Sequence, residues 1–528
     1  MNSSPQPSYP LFNMELPATL GRWVPIATVA VTTFVFDFLF WERSAGINVT
    51  LFTFWSTVFL VMRYGWKGLS TPAKFALFGA LISAVTVYVH DSSIALVASI
   101  FSLSVAVAFA HEPQLRSVLY ALPQSITSFV MAPLAAWQGW DGLDDEQSAK
   151  GSKWAWFRVA LIPLLIGVLF LQLYKAGNPK FNQLTAGFLD EFYDLLAEFF
   201  TPHIFFLLLA MVVSAVIMRR IAPRSLSNSE SRWTDVLLRK RKTRPHWLAP
   251  ASMGPLERER KAGLVLLVIM NAMLLVVNVI DIDWFWFGFT VPENFSLKQF
   301  VHSGTWMLII SILLSIIILL HLFRGNLNFY KRSGSMRVLG IAWIVQNFIL
   351  GISVFLRNYH YISFHGLAYK RIGVIVFLLL VLVGLVTLFL KVRDRKSFFY
   401  LARLNTWALF ITLVGLACVD WDTFIVRHNL HHQNKGEIDI DNYLHMSDKV
   451  LPLLYVNLDV IEAQMAQHSK NEVRWVYHLN PVEFRRELDV KYRAFQDRYA
   501  GQHWQESSLA DDDTAFQMRK LALWTDKQ

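Results

Sequence analysis

Apolar residues along this chain come in runs of membrane-spanning length, separated by short polar connections. A helix crosses a bilayer core in about 20 residues. On that ruler eleven spans follow one another: Trp23 to Phe40, Val49 to Arg63, Ala73 to Val89, Ser92 to Ala110, Trp156 to Tyr174, Ile204 to Met218, Leu264 to Ile280, Trp306 to Leu322, Val338 to Phe355, Ile372 to Leu390 and Phe399 to Cys418. The pattern predicts an all-α, polytopic transmembrane helical protein. Val118 to Trp137 is apolar too, but Pro123 and Pro133 interrupt it, so it is expected to be re-entrant or interfacial. Phe181, Leu184, Phe188, Leu195 and Phe199 recur at helical spacing, which predicts an amphipathic helix lying on the outer leaflet. After Cys418 the hydropathy collapses. Val460 to Gln467 and Pro481 to Tyr499 keep a helix-forming composition, and Pro481 suits a first helical turn, so a small helical extramembrane domain should follow the last span.

The polar connections set the orientation. Arg219 to Lys261 carries twelve Lys and Arg against four acids, and short loops rich in Lys and Arg stay on the cytoplasmic side during insertion. Alternation then places Arg22, Arg63 to Lys74, Arg324 to Arg337 and Lys391 to Lys396 inside, all of them basic, with Lys370 and Arg371 the main discordant charges outside. The expected organisation is a disordered cytoplasmic N-terminus (1–22), a membrane half of six spans (23–218), the basic cytoplasmic loop (219–261), a second half of five spans (262–418) and an extracytoplasmic helical tail (419–528). The expected location is the bacterial inner membrane, with the N-terminus in and the C-terminus out.

Composition narrows the function classes. Of 528 residues 54% are hydrophobic, mean hydropathy is +0.37, and the net charge of +10 lies mostly in loops beside apolar spans. The loop charge already has an insertion role, so no nucleic-acid partner is expected; the bilayer is. A single cysteine, Cys418, excludes an intramolecular disulfide and a Cys-based zinc site. Met1 to Leu20 lacks the features of a cleaved signal peptide, so the first span is expected to serve as the insertion signal.

Four stretches carry a family resemblance. NVIDIDWFWFGFTVPENFSLKQFVHSGTW at Asn278 to Trp306, HGLAYKRIGVIVFLLLVLVGLV from His365, RHNLHH at Arg427 to His432 and DIDNYLHMSDKVLPLL at Asp439 to Leu454 resemble the bacterial polytopic membrane families of domains of unknown function 4153 and 4173. The resemblance spans roughly Lys261 to Tyr455 and rests on the order of the motifs. It implies a multi-pass membrane protein and brings no catalytic residues with it.

Three constellations are candidates for chemistry. His428, His431 and His432 have the HxxHH spacing of a di-iron histidine box, but such sites need about eight histidines, and the bland alternative is a juxtamembrane polar segment. The candidate metal set is accordingly weak, and no cofactor is expected. Asp281 with Asp283, and Asp420 with Asp422, are outer-face DxD pairs of the kind that bind a divalent cation or serve as acid and base on lipid-linked substrates. Trp284, Trp286 and Trp421 beside them equally mark an aromatic belt with acids at its exit. Asp37, Asn271, Gln346, Asn347 and Arg403 lie inside spans, where polar groups are costly and face a partner or cavity. An Asp37 to Arg403 pair would satisfy both charges, although their depths differ.

The leading functional expectation is an envelope sensing, scaffolding or assembly component that meets an envelope protein partner through its C-terminal domain. The alternatives are a small-molecule or ion transporter and a membrane enzyme acting on lipid or lipid-linked substrates. An enzymatic role is the less favoured of these.

Overall fold

The computed structural model describes residues 18–137, 201–221, 225–239, 255–287, 304–431, 440–468 and 479–525, with isolated positions 170, 174, 180 and 181. The span expected at Trp156 to Tyr174 and the amphipathic helix from Phe181 to Phe199 lie outside the described residues, apart from those positions. So do His302, His432, most of the expected N-terminal tail and the middle of the basic loop.

The N-terminal half comprises α1 (Ala18–Phe40), α2 (Ile47–Tyr64), α3 (Thr71–His90), α4 (Ser93–His111), α5 (Val118–Trp137) and α6 (Pro202–Met218). After the short α7 (Ser225–Ser231) come α8 (Pro255–Asp281), which ends in a π turn at Ile282–Trp286, α9 (Thr305–Leu322), α10 (Gly334–His365), α11 (Tyr369–Arg393) and α12 (Phe398–Ala417). The C-terminal part adds α13 (Trp421–His431), α14 (Leu451–Val456), α15 (Leu458–His468), α16 (Pro481–Ala500) and α17 (Leu509–Thr525). Among the described residues eight helices are long and apolar enough to cross a membrane, and Ile26–Phe40 and Pro202–Met218 are shorter apolar helices. Among the described residues there is no strand, only an isolated bridge between Val236 and Lys396.

Small side chains let the first helices approach closely. Ala73, Ala76, Ala80, Ala84 and Val87 of α3 and Ala95, Ala98, Ser99, Ser102 and Val105 of α4 are all buried, the spacing by which membrane helices gain dispersion contacts where lipid offers no hydrophobic gain. α12 ties the two halves together. Its Trp407 stacks on Phe109 of α4 at 5.5 Å and donates its indole N–H to the Arg116 carbonyl, while Phe410 is buried in the N-terminal core.

The segment with two prolines departs from the expected break: α5 is one continuous helix through Pro123 and Pro133. Ser125 donates its hydroxyl to the Ser104 carbonyl, which lays α5 antiparallel along α4. A proline removes one helical N–H, and packing against neighbouring helices makes that loss tolerable in a membrane.

Polar contacts sort the loops into two ends. At one end Arg63 donates to the Met218 carbonyl, Arg220 pairs with Glu112, and the Glu230 carboxylate accepts from the Ser117 hydroxyl (2.6 Å) and the Arg116 N–H (3.0 Å). The 235–237 segment lies along the α11–α12 turn, with Ser397 N–H on the Asp235 carbonyl (2.9 Å) and Leu237 N–H on that of Arg395 (3.0 Å). At the other end stand the α1–α2, α3–α4 and α10–α11 turns, and the C-terminal helices sit on them.

α10 is the element that carries the bundle into that domain. At 32 residues it is about 48 Å long, against roughly 30 Å of hydrocarbon. The span expected to stop at Phe355 therefore continues ten residues further. Its Ile362, with Leu367 of the following turn and Ile372 of α11, belongs to the same core as Val450, Leu451, Leu454, Ile461, Phe484, Leu488 and Phe495. Arg371, in the first turn of α11, is one of the two discordant outer charges. It donates to the carbonyls of His365 and Gly366, and so caps the end of α10.

Candidate functional site

Two of the four motif stretches meet at one carboxylate, on the helix that carries a third. Asp422, in the first turn of α13, accepts the Tyr369 hydroxyl on one oxygen and the Ser447 hydroxyl on the other, with the Lys449 ammonium at 3.5 Å. Its DxD partner Asp420 holds the same ammonium at 2.9 Å. Lys449 also donates to the His90 carbonyl at the end of α3 (2.8 Å). One lysine of the C-terminal domain thus bridges the outer acids to the N-terminal half of the bundle. With its side chain 8% exposed, it is a cation whose desolvation is offset by two carboxylates and a carbonyl.

The turn beside it depends on a backbone that only glycine adopts easily. Gly366 has φ +80°, and a Cβ there would stand 2.7 Å from Asn429 Oδ1. Asn429 of α13 uses the freed space to accept from the Leu367 N–H (2.6 Å) and donate to the Leu367 carbonyl (2.9 Å), a side-chain imitation of a strand pair. The HGL and HNLHH stretches are therefore two halves of one lock.

A seam of charge continues from this lock. Arg498 of α16 reaches both oxygens of Asp511 (3.0 and 2.8 Å) and Asp448 (3.0 Å), and Lys491 lies 3.3 Å from Asp448. Asp91, in the left-handed region at φ 43°, closes α3 opposite these groups. Burial, and then the neighbouring Asp511, push its carboxyl above the usual range, against the pull of Arg498 and Lys449. The second clamp is the 504–508 segment on the α1–α2 turn. Ile47 N–H donates to the Ser507 carbonyl (3.0 Å), Ser44 and Arg43 meet Glu506, and Trp504 lies 6.1 Å from Phe38. Gly46 is required there by contact, since a Cβ would fall 2.3 Å from the Glu506 carbonyl oxygen. Between the clamps, α3, α13, α14 and α17 enclose a groove of about 550 Å³.

The other candidate residues are dispersed. Asp281 pairs with Arg357 of α10, both nearly fully buried, while Asp283 two residues on is exposed, so this DxD does not act as a pair. Asp37 and Arg403 do not meet: Asp37 holds His203 of α6 at 2.9 Å at one end of the bundle, and Arg403 holds Asp235 at 2.7 Å at the other. Gln346 donates to Asn271 Oδ1 (2.8 Å), and Asn271 donates to the Leu339 carbonyl (3.1 Å), which staples α8 to α10; Asn347 bonds its own helix at Trp343 (2.8 Å). His428 rests against Phe424, and His431 bonds the Arg427 carbonyl at 2.9 Å. Among the described residues no three His, Cys, Asp or Glu side chains gather as metal ligands.

Tyr369, Ser447, Lys449 and Asn429 were missed as site residues by sequence reasoning. The available signal was their place inside the motif stretches, since a hydroxyl, an amide or a lysine has no pattern of its own.

A family model described as domain of unknown function (DUF4153) matches residues 75–455. The match begins far upstream of Lys261, where the motif resemblance starts, and takes in most of the N-terminal bundle. No curated protein and no solved structure matches the chain.

Proposed function

We propose that this chain, which belongs to the DUF4153 family of domains of unknown function, is a scaffold of the bacterial inner membrane that presents its C-terminal helical domain to an envelope protein partner. In this reading the basic loops face the cytoplasm and the C-terminal domain faces outward. One observation carries the proposal: the acids best suited to catalysis, Asp420 and Asp422, instead hold Lys449 and so fix the domain on the bundle. Two polar pairs support it, because the outer-face Asp281 with Arg357, and the intramembrane Asn271 with Gln346, join helices to one another.

The test uses the full-length protein in its own membrane. A photo-cross-linking residue at Val482, which is 79% exposed on α16, is expected to give a discrete adduct with an extracytoplasmic protein. Lys449→Glu, which sets a third acid against Asp420 and Asp422, should abolish that adduct at unchanged abundance. Absence of any adduct, together with solute flux in reconstituted vesicles that Asp37→Asn eliminates, would overturn the scaffold reading in favour of transport.

A further inference from the structure

The groove between α13 and α17 carries two unmatched charges. Its lining includes Asp420 and Lys449, which neutralise each other at 2.9 Å. It also includes Arg427 on α13 and Asp513 on α17, both exposed. Among the described residues the Arg427 guanidinium meets no carboxylate within 4.0 Å, and Asp513 accepts only from the neutral Gln517 amide, at 2.7 Å. Val456, Leu453 and Leu509 give the same groove an apolar part. A net-neutral cleft with one free cation on α13 and one free anion on α17 suits a ligand that is itself a zwitterion. A simple anion would be opposed by Asp513, and a simple cation by Arg427.

The place of the groove selects the source of that zwitterion. It adjoins the end of the spanning helix α12, with Asp420 of its lining three residues beyond Ala417. Cys418 and Phe424, at 49%, are exposed beside it, so the groove opens where helix gives way to the membrane surface.

We propose that this groove binds the headgroup of a zwitterionic aminophospholipid, with its phosphate on Arg427, its ammonium on Asp513 and its glycerol end over Val456 and Leu453. Guanidinium and phosphate make a charge-assisted pair, and the carboxylate and ammonium make a second. The inference rests on the membrane setting of the bundle and is independent of the scaffold role.

Native mass spectrometry of the delipidated full-length protein, titrated separately with phosphatidylethanolamine and phosphatidylglycerol, tests it. The expected result is one phosphatidylethanolamine per chain, with phosphatidylglycerol binding more weakly by about tenfold or more, the worth of one charge-assisted contact. Arg427→Gln and Asp513→Asn should each lower phosphatidylethanolamine affinity by a similar factor. Both positions are exposed, so unchanged thermal melting serves as the folding control. Equal binding of the two lipids, or phosphatidylethanolamine affinity unchanged in both variants, would overturn the proposal.

Discussion

At the scale of single residues, the consequential groups are charges removed from water. Asp281 and Arg357 leave 5% and 8% of their side chains exposed. Desolvating each is costly, and their attraction offsets the cost only while both are present. Removing one partner should therefore hurt more than removing both. Asp281→Ala is expected to destabilise the bundle by about 3–5 kcal/mol, the range for breaking a buried pair. The double variant Asp281→Leu with Arg357→Leu should recover most of that loss, and thermal melting in detergent with recovery of folded protein reads both. Sequence reasoning singled out Asp281 because an acid at a span end is conspicuous. It placed Arg357 in a loop, because an arginine after a long apolar run resembles a helix exit until the helix is seen to continue. Asp37 and Arg403 carry the same lesson. Each was recognisable as a costly intramembrane charge, but its partner came from a residue that hydropathy discards: His203 for one, Asp235 of the basic loop for the other.

At the scale of elements, the α10–α11 turn is the point on which the domain interface depends. Gly366 at φ +80° is strained for any other L-residue, and its missing Cβ is the space Asn429 occupies. Gly366→Ala is expected to cost ~1–3 kcal/mol from backbone strain alone. It should also release α13 from Leu367, raising protease cleavage of the C-terminal helices while the spanning helices stay protected. Unchanged cleavage in this variant would show that Asn429 is not what holds α13. Elements with a strong periodic signal were legible. α16 starts at Pro481, with Asn480 and Glu483 forming a reciprocal capping box, in line with the first-turn role expected of that proline. The continuity of α5 through its two prolines was not legible, because proline spacing was weighed without the neighbouring helix that makes a continuous helix tolerable.

At the scale of the whole molecule, docking of the domain on the bundle is an electrostatic fit and should respond to pH. Asp91 faces Asp511 and Asp448 with Arg498 and Lys449 between them, and its carboxyl is raised above the usual range by burial first. A carboxyl raised in the folded state favours the compact form when protonated, and that contribution is lost as pH rises through the raised value. Docking of the wild-type domain, read by protease resistance, should therefore weaken from acidic to neutral pH relative to Asp91→Asn, a variant whose amide keeps the left-handed turn. The two proteins should converge at acidic pH. A difference that stays constant across the range would remove Asp91 as its cause.

Length and apolarity were enough to determine an all-α membrane protein with helices near their observed positions, because a continuous apolar run of about 20 residues pairs all its backbone groups in a bilayer by coiling into a helix, whereas barrel strands are shorter and alternate in polarity. The order of short motifs pointed to two families, of which the DUF4153 model matches the chain. Tertiary structure alone decided which charges meet. A carboxylate in sequence has many possible partners across hundreds of residues, and only the folded chain brought Tyr369, Ser447 and Lys449 onto Asp422 and turned a DxD pair into a clamp. Local pattern carries period and polarity; it carries no information on distance between segments, and ion pairs are made of distance.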